Sequence, residues 1–195
     1  MREALTGTAV GSVENRLARR VAAVLLVAVL TAIGAAIEVP IPGSPVPVTM
    51  QSMIVSLGGV LLGPWLGAAS QIVYVMAGAV GAPVFAGGAF GIGHLLGPTG
   101  GYLLAFPLAA AVTGWLAGAP PARWSVTSAA RLGVAIFLGT VLIFAGGWSQ
   151  LAVLTGDAVR AFEVGVLPFI VGDIVKTGGA LAVGVRYRNR TLEWL

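Results

Sequence analysis

Six apolar runs, each close to the thickness of a lipid hydrocarbon layer in helical length, dominate the sequence. They cover residues 21–37, 48–62, 66–80, 102–117, 132–154 and 164–185. A helix crosses such a layer with about 20 residues, and the second and third runs are short by that measure. Only 9% of the 195 residues are charged, against about 25% in a soluble domain. A water-soluble globule of this size could not cover its apolar surface. Disordered and disulfide-stapled chains are excluded too, the latter because cysteine is absent. The solvent must be lipid.

Gly63-Pro64-Trp65 interrupts what would otherwise be one helix of about 32 residues and ~48 Å, too long for a ~30 Å core. Gly-Pro is a strong breaker and Trp suits an interfacial turn, so the sequence predicts two short helices here and six spans in all. Charge supports the count. With six spans and the amino terminus inside, Arg2, Arg16, Arg19, Arg20, Arg123, Arg131, Arg186, Arg188 and Arg190 are cytoplasmic, Arg160 is outside and Lys176 lies within a span. That asymmetry obeys the positive-inside rule. The expected architecture is an all-α integral protein of the cytoplasmic membrane with both termini inside. Residues 1–20 form a cytosolic arm with no cleavable signal peptide, 21–190 the membrane domain and 191–195 a cytosolic end. The net charge of +4 reads as topology rather than nucleic-acid binding, because the basic residues sit between apolar runs.

Two outer loops carry unusual sequence. Residues 38–47 contain Pro40, Pro42, Pro45 and Pro47, which favour a stiff, polyproline-like loop. Residues 81–101 contain eight glycines and the single histidine, His94. A long glycine-rich loop is either a plain connector or an ordered, functional one whose amides approach a ligand. It lacks the Gly-Lys-Ser/Thr ending of a phosphate loop. One histidine without cysteine makes a poor metal centre, so no metal or catalytic residue is expected and His94 is placed near a site mouth.

Asp173 and Lys176, at i and i+3 on one helix face, lie seven to ten residues into the last run, roughly 10–16 Å deep. Ionisable groups at that depth cost several kcal/mol unless paired, and mark a functional site by default. A structural ion pair locking the bundle is the alternative, and both can hold. Together Asp and Lys can take up both the N–H and the C=O of a neutral cyclic urea or amide. Thr49 and Gln51 open the second helix, Gln71 and Tyr74 lie in the third, Thr99 and Tyr102 open the fourth, and Trp148, Ser149 and Gln150 lie late in the fifth. For each alone, helix–helix hydrogen bonding is favoured over ligand contact. Ala28, Ala32 and Ala36 form a small-residue ridge, for packing within the bundle or for docking a partner membrane protein.

The strings Val46-Pro-Val-Thr-Met-Gln51, Leu62-Gly-Pro64, Gly81-Ala-Pro-Val-Phe-Ala-Gly-Gly88, Leu96-Gly-Pro-Thr-Gly-Gly-Tyr102 and Gly172-Asp-Ile-Val-Lys176 together resemble the BioY family. Its members are biotin-specific substrate-binding (S) components of energy-coupling factor (ECF) transporters. The resemblance implies the S-component fold, biotin capture from the outer face, and partnership with a transmembrane coupling protein and two cytosolic ATPase subunits. Self-association is compatible with it. It assigns Asp173 and Lys176 to the biotin head and Phe85, Ala86, Gly87 and Gly88 to the pocket-lining loop. It also assigns Ala28, Ala32 and Ala36 to the coupling protein. No Walker motif is present, so no cofactor is expected and ATP acts only through partner subunits. Capture of another small vitamin is the alternative within this class. An intramembrane enzyme would need a nucleophile elbow, histidine pairs or an acidic Mg²⁺ cluster, and a channel a repeated polar lining. None of these patterns occurs.

Overall fold

A computed structural model describes the backbone from Arg2 to Leu195 and the side chains from Glu14 onward. The chain is a helical bundle. Helix α1 (Arg2–Ala36) leads into a two-residue antiparallel pair, β1 (Glu38–Val39) with β2 (Val48–Thr49). There follow α2 (Gln51–Ala79), α3 (Ile92–Leu95), α4 (Gly100–Ala117), α5 (Val126–Thr155), α6 (Ala158–Gly165) and α7 (Ile170–Trp194). Among the described residues, four helices are long and apolar enough to cross a membrane: Glu14–Ala36, Gln51–Ala79, Gly100–Ala117 and Val126–Thr155.

Helix α2 is broken where the sequence predicts. Gly63 adopts φ 79°, ψ −179°, and Pro64 follows it. Gln51 and Tyr74 would lie ~34 Å apart along a straight helix, yet Gln51 Nε2 donates to Tyr74 Oη at 2.6 Å. Residues 51–62 and 64–79 are therefore two limbs folded back on each other. Small residues permit this. A Cβ on Gly67 would lie 2.8 Å from Gly58 O and 2.9 Å from Gly59 Cα, so any larger residue would force the limbs apart.

Several boundaries depart from the sequence-based expectation. The arm at 1–20 is helical from Arg2 and continuous with α1; the side chains of residues 1–13 lie outside the described residues. At the carboxyl end, α7 continues through residues 191–194 to Trp194. Loop one is closed by β1–β2 rather than wholly polyproline-like: Ser44 Oγ donates to Val164 O at 2.7 Å. Thr49 belongs to β2 and does not open a helix. The glycine-rich loop is built from a 3₁₀ turn at Ala86–Gly88 and from α3, so it is an ordered element.

The largest departure is at the last apolar run. Residues 164–185 are not one rod: α6 ends at Gly165, Leu167–Phe169 forms a 3₁₀ turn containing Pro168, and α7 begins at Ile170. Proline favours a helix start and disrupts a helix interior, which explains why the hydropathy run and the helix disagree. Asp173 thus lies in the first turn of α7, and the 10–16 Å depth drawn from the apolar run does not hold.

The core gathers around Tyr74, Phe85, Tyr102, Leu103, Phe106 and Leu151. Ala28 is buried in this core, Ala32 is half-buried against it, and Ala36 is exposed. The alanine ridge therefore leaves the bundle as it climbs. Each i+4 step turns it by about 40° around the helix. Ala28 and Ala32 pack on the protein's own core, and Ala36 lies on the outer surface. Leu25, Leu26, Val29 and Ile33 form the outward surface of α1.

Candidate ligand site

At the loop-bearing end, the start of α2, the glycine-rich loop, α4, α5 and α7 enclose a cavity of about 600 Å³ of empty space, its mouth included. Its floor and sides are apolar, supplied by Leu103, Phe106, Ile143, Phe144 and Phe169. Polar groups converge on one wall.

That wall is organised by Asp173 and Lys176, 6% and 9% exposed. One helical turn brings them together at 2.8 Å. Ser52, in the first turn of α2, completes the cluster. Its hydroxyl donates to Asp173 Oδ1 at 2.7 Å and accepts from Lys176 Nζ at 2.9 Å. Lys176 Nζ also donates to Thr49 O at 3.0 Å. The three donors of the ammonium are thus matched by three acceptors, as a buried charge requires. The start of α2 reaches the pair because the β1–β2 closure sets Thr49 just ahead of it.

A second network braces the wall. Thr49 Oγ1 donates to Gln51 Oε1 at 3.0 Å, Gln51 Nε2 donates to Tyr74 Oη, and Tyr74 donates to Val84 O at 3.0 Å. It ties both limbs of α2 to the base of the glycine-rich loop. Opposite, Tyr102 donates to Gly165 O at 2.6 Å, holding α4 to the end of α6. His94 Nε2 and Thr99 Oγ1 lie 2.9 Å apart, and the His94 ring stacks on Phe85 at 5.2 Å between centroids. Burial pushes the His94 imidazole below its ordinary value, favouring the neutral ring.

Of the residues singled out from the sequence, Thr49, Gln51, Ala86, Thr99, Tyr102, Asp173 and Lys176 line the cavity, and His94 does so as a loop residue. Tyr74 and Phe85 do not: they are buried behind the wall and meet edge to face at 5.7 Å. Gly87 and Gly88 are not on the lining either. Both have positive φ, and they shape the turn that presents Ala86. Ser52 was not singled out, although it directly follows Gln51. The requirement that a buried ammonium find three acceptors was the signal for it.

The profile of the BioY family matches residues 3–193. The chain belongs to the BioY family. A probable biotin transporter BioY of Pyrococcus horikoshii is 44% identical over 174 residues, covering 89% of this chain and 99% of that protein. The biotin transporter BioY of Thermotoga maritima is 37% identical over 165 residues, 84% of this chain and 92% of its own. In fold, the chain matches the crystal structure of the S-component for biotin from an ECF-type ABC transporter. There the TM-score is 0.80 at 23% identity, covering 90% of this chain and 93% of that one. The S-component architecture expected of this BioY-family chain is therefore found, with loop one paired and α6 set apart from α7.

Proposed function

We propose that this BioY-family chain captures biotin at the outer face of the cytoplasmic membrane as the S component of an ECF transporter. The single observation that carries the reading is the Asp173–Lys176–Ser52 cluster, buried on one wall of an otherwise apolar cavity. Biotin's fused rings are apolar apart from a ureido group that has N–H donors and a C=O acceptor. Asp173 accepts from the ureido N–H, and Lys176 donates to its C=O, which takes the place of one of the ammonium's three present acceptors. Aromatic and aliphatic side chains cover the rings, so the polar pair fixes orientation while apolar contact supplies affinity. Thr49, Gln51, Thr99 and Tyr102 complete the pocket, with Tyr74 and Phe85 bracing it from behind.

Six spans with both termini in the cytosol are part of this reading: α1, the two limbs of α2, α4, α5 and α7. Nine of the eleven Lys and Arg residues then lie inside. The chain acts as a binding subunit without a cofactor of its own. A transmembrane coupling protein and two ATPase subunits provide the energy, and self-association is compatible with this arrangement.

The test is binding of labelled biotin to the purified chain in detergent, without ATP, with lipoate and thiamine as competitors. Saturable binding displaced by unlabelled biotin alone is the expected result. Displacement by another vitamin, with no biotin signal, would reassign the substrate.

A further inference from the structure

The opposite end of the bundle, where the arginines gather, carries two adjoining recesses. One, of about 650 Å³, is lined by Trp124, Ser125, Thr127, Ser128, Arg131 and Arg188 among others. The second, of about 830 Å³, is lined by Trp115, Leu116, Arg131, Val134 and Ala135. Arg131 belongs to both.

The first recess is cationic and lacks a counter-ion. Among the described residues no acidic side chain lines it, and the Asp173–Lys176 pair lies toward the other end of α7. Arg131 Nε donates to Leu116 O at 2.9 Å, and Arg188 donates to the carbonyls of Val60 and Gly118. Each guanidinium has five N–H donors, so most of Arg131's remain for a ligand. The first turn of α5 contains no acid. Its capping box uses the Ser128 N–H, leaving the amides of Val126 and Thr127 without a helical partner at the positive end of a 30-residue helix. Two guanidinium groups and a helix amino terminus therefore converge on one pocket.

The second recess is apolar and open to the side. Trp115 is 70% exposed and Val134 56% exposed, and Leu108 and Leu138 stay exposed farther along α4 and α5. A cationic pocket joined to an apolar lateral groove through one shared arginine fits an amphiphile.

We infer that this end of the bundle binds an anionic phospholipid, its phosphate in the Arg131/Arg188 recess and an acyl chain in the groove beside Trp115 and Val134. A soluble anion would use only the first recess, and a zwitterionic lipid would not complement its charge. The site is distant from the ligand cavity and independent of what that cavity holds.

The test uses the full chain, purified in detergent and delipidated, and native mass spectrometry with phosphatidylglycerol, with phosphatidylcholine of the same acyl chains, and with inorganic phosphate. The expected result is preferential retention of one phosphatidylglycerol. Arg131→Gln should lower that retention about fivefold, the worth of one basic residue at an anionic surface, and Arg131→Lys should largely preserve it. Val134→Glu, which places an acid beside Arg131 in the groove, reads the same question should Arg131→Gln not stay folded. Equal retention of both lipids, an unchanged preference in the variant tested, or displacement of the lipid by inorganic phosphate would each overturn the assignment.

Discussion

Arg188, on α7, donates to the carbonyl oxygen of Val60, four residues before Pro64. Proline has no N–H, so the break in α2 deprives the Val60 carbonyl of its helical partner. The guanidinium replaces it and donates with its second nitrogen to Gly118 O at the end of α4. One side chain, 2% exposed, thereby joins α2, α4 and α7 at carbonyls that the helices themselves leave unpaired.

Arg188→Met should therefore strand two carbonyls. At roughly 1–3 kcal/mol for each buried unsatisfied group, the loss is about 2–6 kcal/mol, read as a lower melting temperature in detergent. Biotin affinity measured well below that temperature should change little, because Arg188 is at the other end of the bundle. A melting temperature equal to the parent's would show that the carbonyls find other partners.

At the ligand cavity, Asp173→Asn and Lys176→Ala should each weaken biotin binding at least tenfold. Each removes a ligand bond and leaves its former partner poorly compensated, together roughly 2–5 kcal/mol. Ser52→Ala should weaken binding less, because Asp173 and Lys176 still hold each other at 2.8 Å. Titration of the three variants with labelled biotin orders them. Parent-like affinity in both charge variants would make the pair purely structural.

Much of this was legible in the sequence. Gly63-Pro64 announced the fold-back of α2, because no ~48 Å helix fits the layer and a Gly-Pro break is a local signal. The Asp173–Lys176 pair was legible because ionic residues within an apolar run demand an explanation. Their depth was not, since hydropathy does not register the turn that Pro168 and Gly165 impose between α6 and α7. Ser52 and the apolar cavity wall were also hidden: many helix residues face inward, and only packing selects Phe106, Ile143 and Phe169. The burial of each alanine in the ridge was hidden as well, because i+4 spacing reports that small residues align, not which way they face.

Ala28→Trp should accordingly lower biotin affinity and melting temperature together. Ala28 is buried within the core that includes Tyr74 and Phe85, and overpacking such a site typically costs about 1–3 kcal/mol. Ala36→Trp, at the exposed end of the ridge, should leave both nearly unchanged. Retained affinity and stability in Ala28→Trp would contradict the inward placement.

The last prediction concerns acid. Burial holds the His94 imidazole below its ordinary value of 6.5, so the folded protein favours the neutral ring. The stability this group contributes is present above the unfolded value and is lost as pH falls below it toward the folded one. His94 faces Thr99 and Phe85, and the charged groups on the same cavity, Asp173 and Lys176, largely cancel each other. Lowering the pH from 7.5 through about 6.5 should therefore reduce the melting temperature and loosen the loop that carries Phe85 and Ala86. His94→Gln keeps a side chain able to hydrogen-bond Thr99 but removes the titration, and should flatten the melting temperature across that range. A parent and a His94→Gln variant with identical pH profiles would assign the acid sensitivity to another group.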